Sequence, residues 1–111
     1  LQVAPRYAPR IPTRLDASLE DGSESYDGWV FNLSRSGMLV TDAPMLPVGA
    51  LCVFDFKLPN GETVRGTGEV VRRAKPRREK VAGFALHFVT FEPGCQEILE
   101  AWCDAEEPQE V

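Results

Sequence analysis

Along residues 51–58 the side chains alternate at a period of two: Cys52, Phe54, Phe56 and Leu58 fall on one side, Val53, Asp55 and Lys57 on the other. Successive side chains of a β-strand point to opposite faces, so this pattern demands a strand with one face in a core. Pro59-Asn60-Gly61 then supplies a turn, and residues 62–73 follow with Val64, Gly66, Gly68 and Val70 on one side, which makes a hairpin. Glycines weaken a strand interior, so Gly66 and Gly68 mark a bulge or the tight bend by which a small sheet curls toward closure.

The same reasoning extends both ways. Strand-like runs cover residues 13–21 and 24–33, joined by a turn at Asp21-Gly22-Ser23, and residues 36–41 suit a short third strand. After the basic stretch 72–80, residues 81–91 alternate again, with Ala82, Phe84, Leu86 and Phe88 sharing a face. About six strands result. Pro93 can occupy the first turn of a helix, and Ile98, Leu99 and Trp102 then form one apolar stripe. Short antiparallel strands capped by one helix read as a small barrel or curled sandwich.

A chain of 111 residues, 43% hydrophobic, supports one core. No apolar run approaches the ~20 residues of a membrane span, and Leu1-Gln2-Val3 lacks the features of a secretory signal; a cytoplasmic protein with no membrane insertion is expected. A start other than Met fits an excised piece of a longer protein, with a fused output domain or a separate protein partner. Cys52, Cys95 and Cys103 form no CxxC pair and, with the single His87, no zinc spacing. Reduced, buried thiols and no metal are expected.

Charge is distributed unevenly. The formal net charge is -5, yet Arg6, Arg10 and Arg14 precede the first acid, and residues 72–80 hold six basic side chains against Glu79 alone. Two cationic patches therefore sit on an acidic body, and the acidic C-terminus reads as a solvated helix face with a disordered tail. Pro5, Pro9 and Pro12 forbid a stable helix at the N-terminus and favour an extended, mobile arm.

No catalytic constellation is apparent: His87 alternates with core-type neighbours, and Glu106 and Glu107 lie in the tail without rigid support. Two segments instead suit ligand binding. Arg6 and Arg10, three residues apart on the stiffened arm, can converge two guanidinium forks on phosphates. Asn32-Leu33-Ser34-Arg35-Ser36-Gly37 lies between two strands, where an amide, a hydroxyl and backbone NH groups are displayed at the sheet rim. Each also has a plain reading, as a solubilising arm and a connecting turn. Trp102 belongs to the apolar helix stripe, and Trp29 is placed in the core as well, although alternation leaves its direction open.

Arg6-Tyr7-Ala8-Pro9-Arg10 followed by Asn32-Leu33-Ser34-Arg35-Ser36-Gly37 resembles the paired RxxxR and [D/N]xSxxG motifs of PilZ domains, and Gly83-Phe84-Ala85-Leu86-His87-Phe88 is similar to the last strand of that family. Either motif alone is common; the combination is specific. The resemblance implies a mainly β fold, a six-stranded antiparallel β-barrel with a C-terminal α-helix and a flexible N-terminal arm. It divides the chain into an arm (1–12), a barrel with its helix (13–105) and an acidic tail (106–111). It also implies no enzyme and no cofactor, but a cyclic di-GMP ligand: Arg6 and Arg10 would bind phosphates and guanine edges, Asn32 and Ser34 would complete those contacts, Gly37 would leave room, and Arg35 would add charge. Pro5 stands where many members carry another basic residue, which bears on how many nucleotides bind. The arm would fold over the nucleotide and so signal to a partner. A PilZ-like protein adaptor that binds no nucleotide is the alternative. An oligonucleotide-binding barrel is disfavoured, because residues 72–80 interleave no aromatics with their charges.

Overall fold

The computed structural model describes residues 10–43, 46–75, 77 and 81–106. Six strands lie among them: β1 (Ile11–Glu20), β2 (Ser25–Leu33), β3 (Gly37–Thr41), β4 (Leu51–Lys57), β5 (Thr63–Arg73) and β6 (Gly83–Phe91), followed by helix α1 (Cys95–Glu106). They close into a barrel in the order β1-β2-β3-β6-β5-β4, every neighbouring pair antiparallel, with β1 meeting β4 through the pairs from Ala17↔Phe56 to Glu20↔Val53. The expected mainly β barrel with a terminal helix is the fold. Strand β1 begins two residues inside the expected arm, and residues 1–9 and most of the expected tail, 107–111, lie outside the described residues.

Period two does what the sequence requires of it. Cys52, Phe54 and Phe56 of β4, Val64 and Val70 of β5, and Phe84, Leu86 and Phe88 of β6 are buried in one core. Phe54 is its aromatic hub, its ring centroid 4.8 Å from Phe88 and 5.9 Å from Phe56. Full burial of such a ring contributes on the order of 2–3 kcal/mol. Leu99, Trp102 and Cys103 lay the apolar stripe of α1 onto the same core. Ala82, expected to share the inward face of the last strand, is exposed. The β3–β6 ladder starts only at Thr41↔Gly83, which leaves Ala82 outside the sheet.

The expected role of Gly66 and Gly68 is met by close approach. A Cβ on Gly66 would lie 2.1 Å from the Thr90 carbonyl oxygen, and one on Gly68 would lie 2.7 Å from the Leu86 side chain. The register between β5 and β6 also shifts between Thr67 and Gly68, so a bulge and a tight approach coincide where the sheet bends. All three cysteines are buried and unbridged, and burial pushes the Cys52 thiol up to about 11. No described helix is long and apolar enough to cross a membrane.

At the turn between β1 and β2, Asp21 accepts hydrogen bonds at Oδ1 from the backbone NH groups of Ser23 and Glu24 and from the Ser23 hydroxyl, and at Oδ2 from the Tyr26 hydroxyl. The Ser23 NH above all, then the Glu24 NH and the phenol, hold its carboxyl well below the usual carboxylate range, and the same carboxylate pushes the Tyr26 phenol up to about 12. A pKa depressed in the fold means that the ionised turn stabilises above the ordinary carboxyl value near pH 4 and is lost as pH falls toward the folded value. Asp21→Ala should therefore lower the thermal midpoint by a constant amount over about pH 5–8, and that gap should narrow below about pH 4, as read by melts followed by circular dichroism.

Candidate functional site

The outer face of β2 is set by one irregularity. Val30 pairs with Val40 of β3, and the next ladder pair is Asn32↔Leu39, so Phe31 is an extra residue. Strict alternation from the buried Val30 would send Asn32 inward and Leu33 outward. With the bulge, Phe31 and Asn32 both leave the core and Leu33 returns to it, fully buried. Opposite them, β1 also shifts register between Pro12 and Leu15, while Pro12 pairs with Asn32. Arg10, just before β1, thereby comes beside the end of β2. Its Nη1 donates to Asn32 Oδ1 at 2.7 Å, a charge-assisted bond between residues 22 positions apart in the chain.

The loop between β2 and β3 is held by Ser34. Its backbone NH donates to the Gly37 carbonyl at 2.9 Å. Its Oγ accepts from the NH groups of Ser36 and Gly37, each at 3.2 Å. Only 1% of Ser34 is exposed, so its hydroxyl shapes the loop from within rather than standing at the rim. Gly37 is required by the neighbouring strand: a Cβ there would sit 2.4 Å from the Leu86 carbonyl oxygen, where β3 meets β6. Arg35, expected to add charge beside the ligand, pairs with Asp104 in the last turn of α1. A cation at that position also complements the negative end of the helix dipole.

Of the residues that the motifs single out, Arg10 and Asn32 are brought together, Ser34 and Gly37 build the loop behind them, and Arg35 ties that loop to α1. Arg6 lies outside the described residues. Trp29 is a correction: because Val30 takes the inward position, Trp29 points out of the barrel, half-buried, with the Arg14 guanidinium 4.4 Å above its ring centroid. Neither this pair nor the outward Phe31 was singled out from the sequence. The available signal was the spacing of Val30 and Leu33, two core-type residues three apart, which breaks period two.

A cavity of about 650 Å³ opens between β1, β2 and β4, lined by Asp16, Asp27, Asp42 and Asp55 together with Lys57 and the outward Trp29. Four carboxylates repel an anion, so the geometry that suits phosphate is the exposed Arg10–Asn32 face. No group of three or more His, Cys, Asp or Glu side chains able to hold a metal occurs among the described residues. His87 is exposed on β6, paired with Gly37 across the ladder.

The model of the PilZ domain family matches residues 4–105. Among curated proteins no sequence matches the chain. Several solved structures are similar in fold. The Bacillus subtilis inhibitor of motility (MotI/DgrA) superposes with a TM-score of 0.78 at 18% identity, covering 93% of this chain and 51% of that one. The chain thus spans about half the length of that protein. The PilZ domain of CeSA from a cellulose-synthesizing bacterium superposes with a TM-score of 0.63 at 18% identity, covering 88% of this chain and 97% of that one.

Ser34→Ala should lower stability by about 1–2 kcal/mol, since it strands the NH groups of Ser36 and Gly37 in a buried turn. Arg10→Ala, at an exposed contact, should leave stability nearly unchanged. Urea unfolding of the two variants checks the contrast.

Proposed function

The chain belongs to the PilZ domain family, and we propose that it is a receptor for cyclic di-GMP, which it holds between the arm carrying Arg6 and Arg10 and the loop from Asn32 to Gly37. The family is one of binding and regulatory domains rather than enzymes. The observation that supports the nucleotide most directly is the 2.7 Å bond from Arg10 to Asn32, which joins the two motifs at one point of the barrel surface. A guanidinium fork suits both a phosphate and the O6/N7 edge of guanine, and the Asn32 amide has a donor and an acceptor to add.

In this reading Arg6 and Arg10 grip the anionic nucleotide, Asn32 shares their contacts, and Ser34 and Gly37 keep the loop in shape. The arm folds over the ligand and changes the surface offered to a protein partner or fused output domain. Arg35 gives the loop a second connection, to α1 through Asp104. A cytoplasmic setting fits three unbridged cysteines, which such a compartment keeps reduced.

Calorimetric titration with cyclic di-GMP, with GTP and a linear dinucleotide as controls, tests the proposal. Saturable binding is expected for cyclic di-GMP, weakening as salt rises, and its stoichiometry gives the number of nucleotides held. Arg10→Ala and Asn32→Ala should each weaken binding by about tenfold or more, with little change in the thermal melt. No heat at high ligand concentration from a folded domain would refute the receptor and favour a protein adaptor.

A further inference from the structure

Beside the Arg10–Asn32 pair stands a side chain that no motif includes. Phe31 is the only aromatic among the exposed large apolar residues of the described chain, 39% accessible on the outer face of β2. Single exposed apolar side chains are common and need no explanation. Phe31 differs in how it comes to be there: it is the extra residue of the bulge, and the same irregularity turns Asn32 outward next to it. Two positions before it on the same face, Trp29 carries the Arg14 guanidinium stacked 4.4 Å from its ring centroid. The outer face of β1 and β2 therefore presents a run of Trp29 with Arg14, then Phe31, then Asn32 with Arg10.

We propose that Phe31 is the base-stacking residue of the nucleotide site. This rests on the receptor reading above and deepens it by naming where a purine ring lies. A phosphate alone would engage Arg10 and ignore Phe31. A purine engages both, because its face is a flat π-surface for an aromatic ring while its edge accepts from a guanidinium fork. Asn32, next to Phe31 in the chain and hydrogen-bonded to Arg10, is placed to read the edge of a base stacked on Phe31. Phe31 is thus a specificity residue for a base-bearing ligand over other anions of equal charge.

The test compares cyclic di-GMP binding by the whole chain and by Phe31→Leu, which keeps apolar bulk but loses the ring, and Phe31→Tyr, which keeps the ring. Phe31→Leu should raise the Kd by about tenfold, and Phe31→Tyr should bind like the parent. The loss in Phe31→Leu should be the same at low and high salt, whereas the loss in Arg10→Ala should shrink as salt screens the phosphate contact. Parent binding matched within about twofold by Phe31→Leu would overturn the stacking role and leave the receptor intact. Equal weakening in both variants would also overturn it, since the ring would then not be what matters. Failure of the folded parent to bind would remove both the receptor and its stacking residue.

Discussion

Closure of six short strands into one small barrel is the constraint on which the other features depend. Joining β1 to β4 removes the free sheet edges, and in exchange every inward position must be filled by a side chain that fits a narrow interior. Phe54, Phe56, Phe84, Phe88 and Leu86 fill it, and α1 seals it with Leu99 and Trp102. Where backbones must cross closely, at Gly66 and Gly83, a Cβ would collide with a carbonyl oxygen of the neighbouring strand. The curvature that closes the barrel is thus written in the positions that lack side chains as much as in those that have them.

The barrel also carries irregularities that shape its outer face. Register shifts occur in β1–β2, β2–β3 and twice in β5–β6. The shift at Phe31 places an aromatic ring and an amide side by side on the outside while returning Leu33 to the core. Scaffold and site are therefore coupled through one backbone feature: relaxing the bulge would move Asn32 away from Arg10 and expose Leu33 to water, so core packing itself holds the site residues outward.

Electrostatics then separates the surfaces. A carboxylate-lined cavity opens between β1, β2 and β4, whereas the exposed end of β2 carries the Arg10 guanidinium on Asn32. The loop behind that face is held from below by Ser34 and from the side by the Arg35–Asp104 ion pair. An exposed ion pair adds little stability. It does connect the loop of the second motif to the terminal helix, so that a change at one has a physical route to the other.

Most of the fold was legible in the sequence because period-two alternation is local: residues 51–58 and 84–88 carry their inward faces in their own order, and Ile98, Leu99 and Trp102 carry the helix stripe. The loop of Asn32 to Gly37 was legible as a unit for the same reason. The sequence alone also determined that positive charge would gather in two segments, before Asp16 and at residues 72–80, of a chain that is acidic overall. Only the tertiary structure decided that Trp29 and Phe31 face outward, that Arg10 meets Asn32 from 22 residues away, that Arg35 turns to Asp104 from 69 residues away, and that Ser34 and Gly37 serve the loop and the adjoining strand. The reason is that register is a property of paired strands: a bulge is defined by what lies opposite it, and no single segment contains that information.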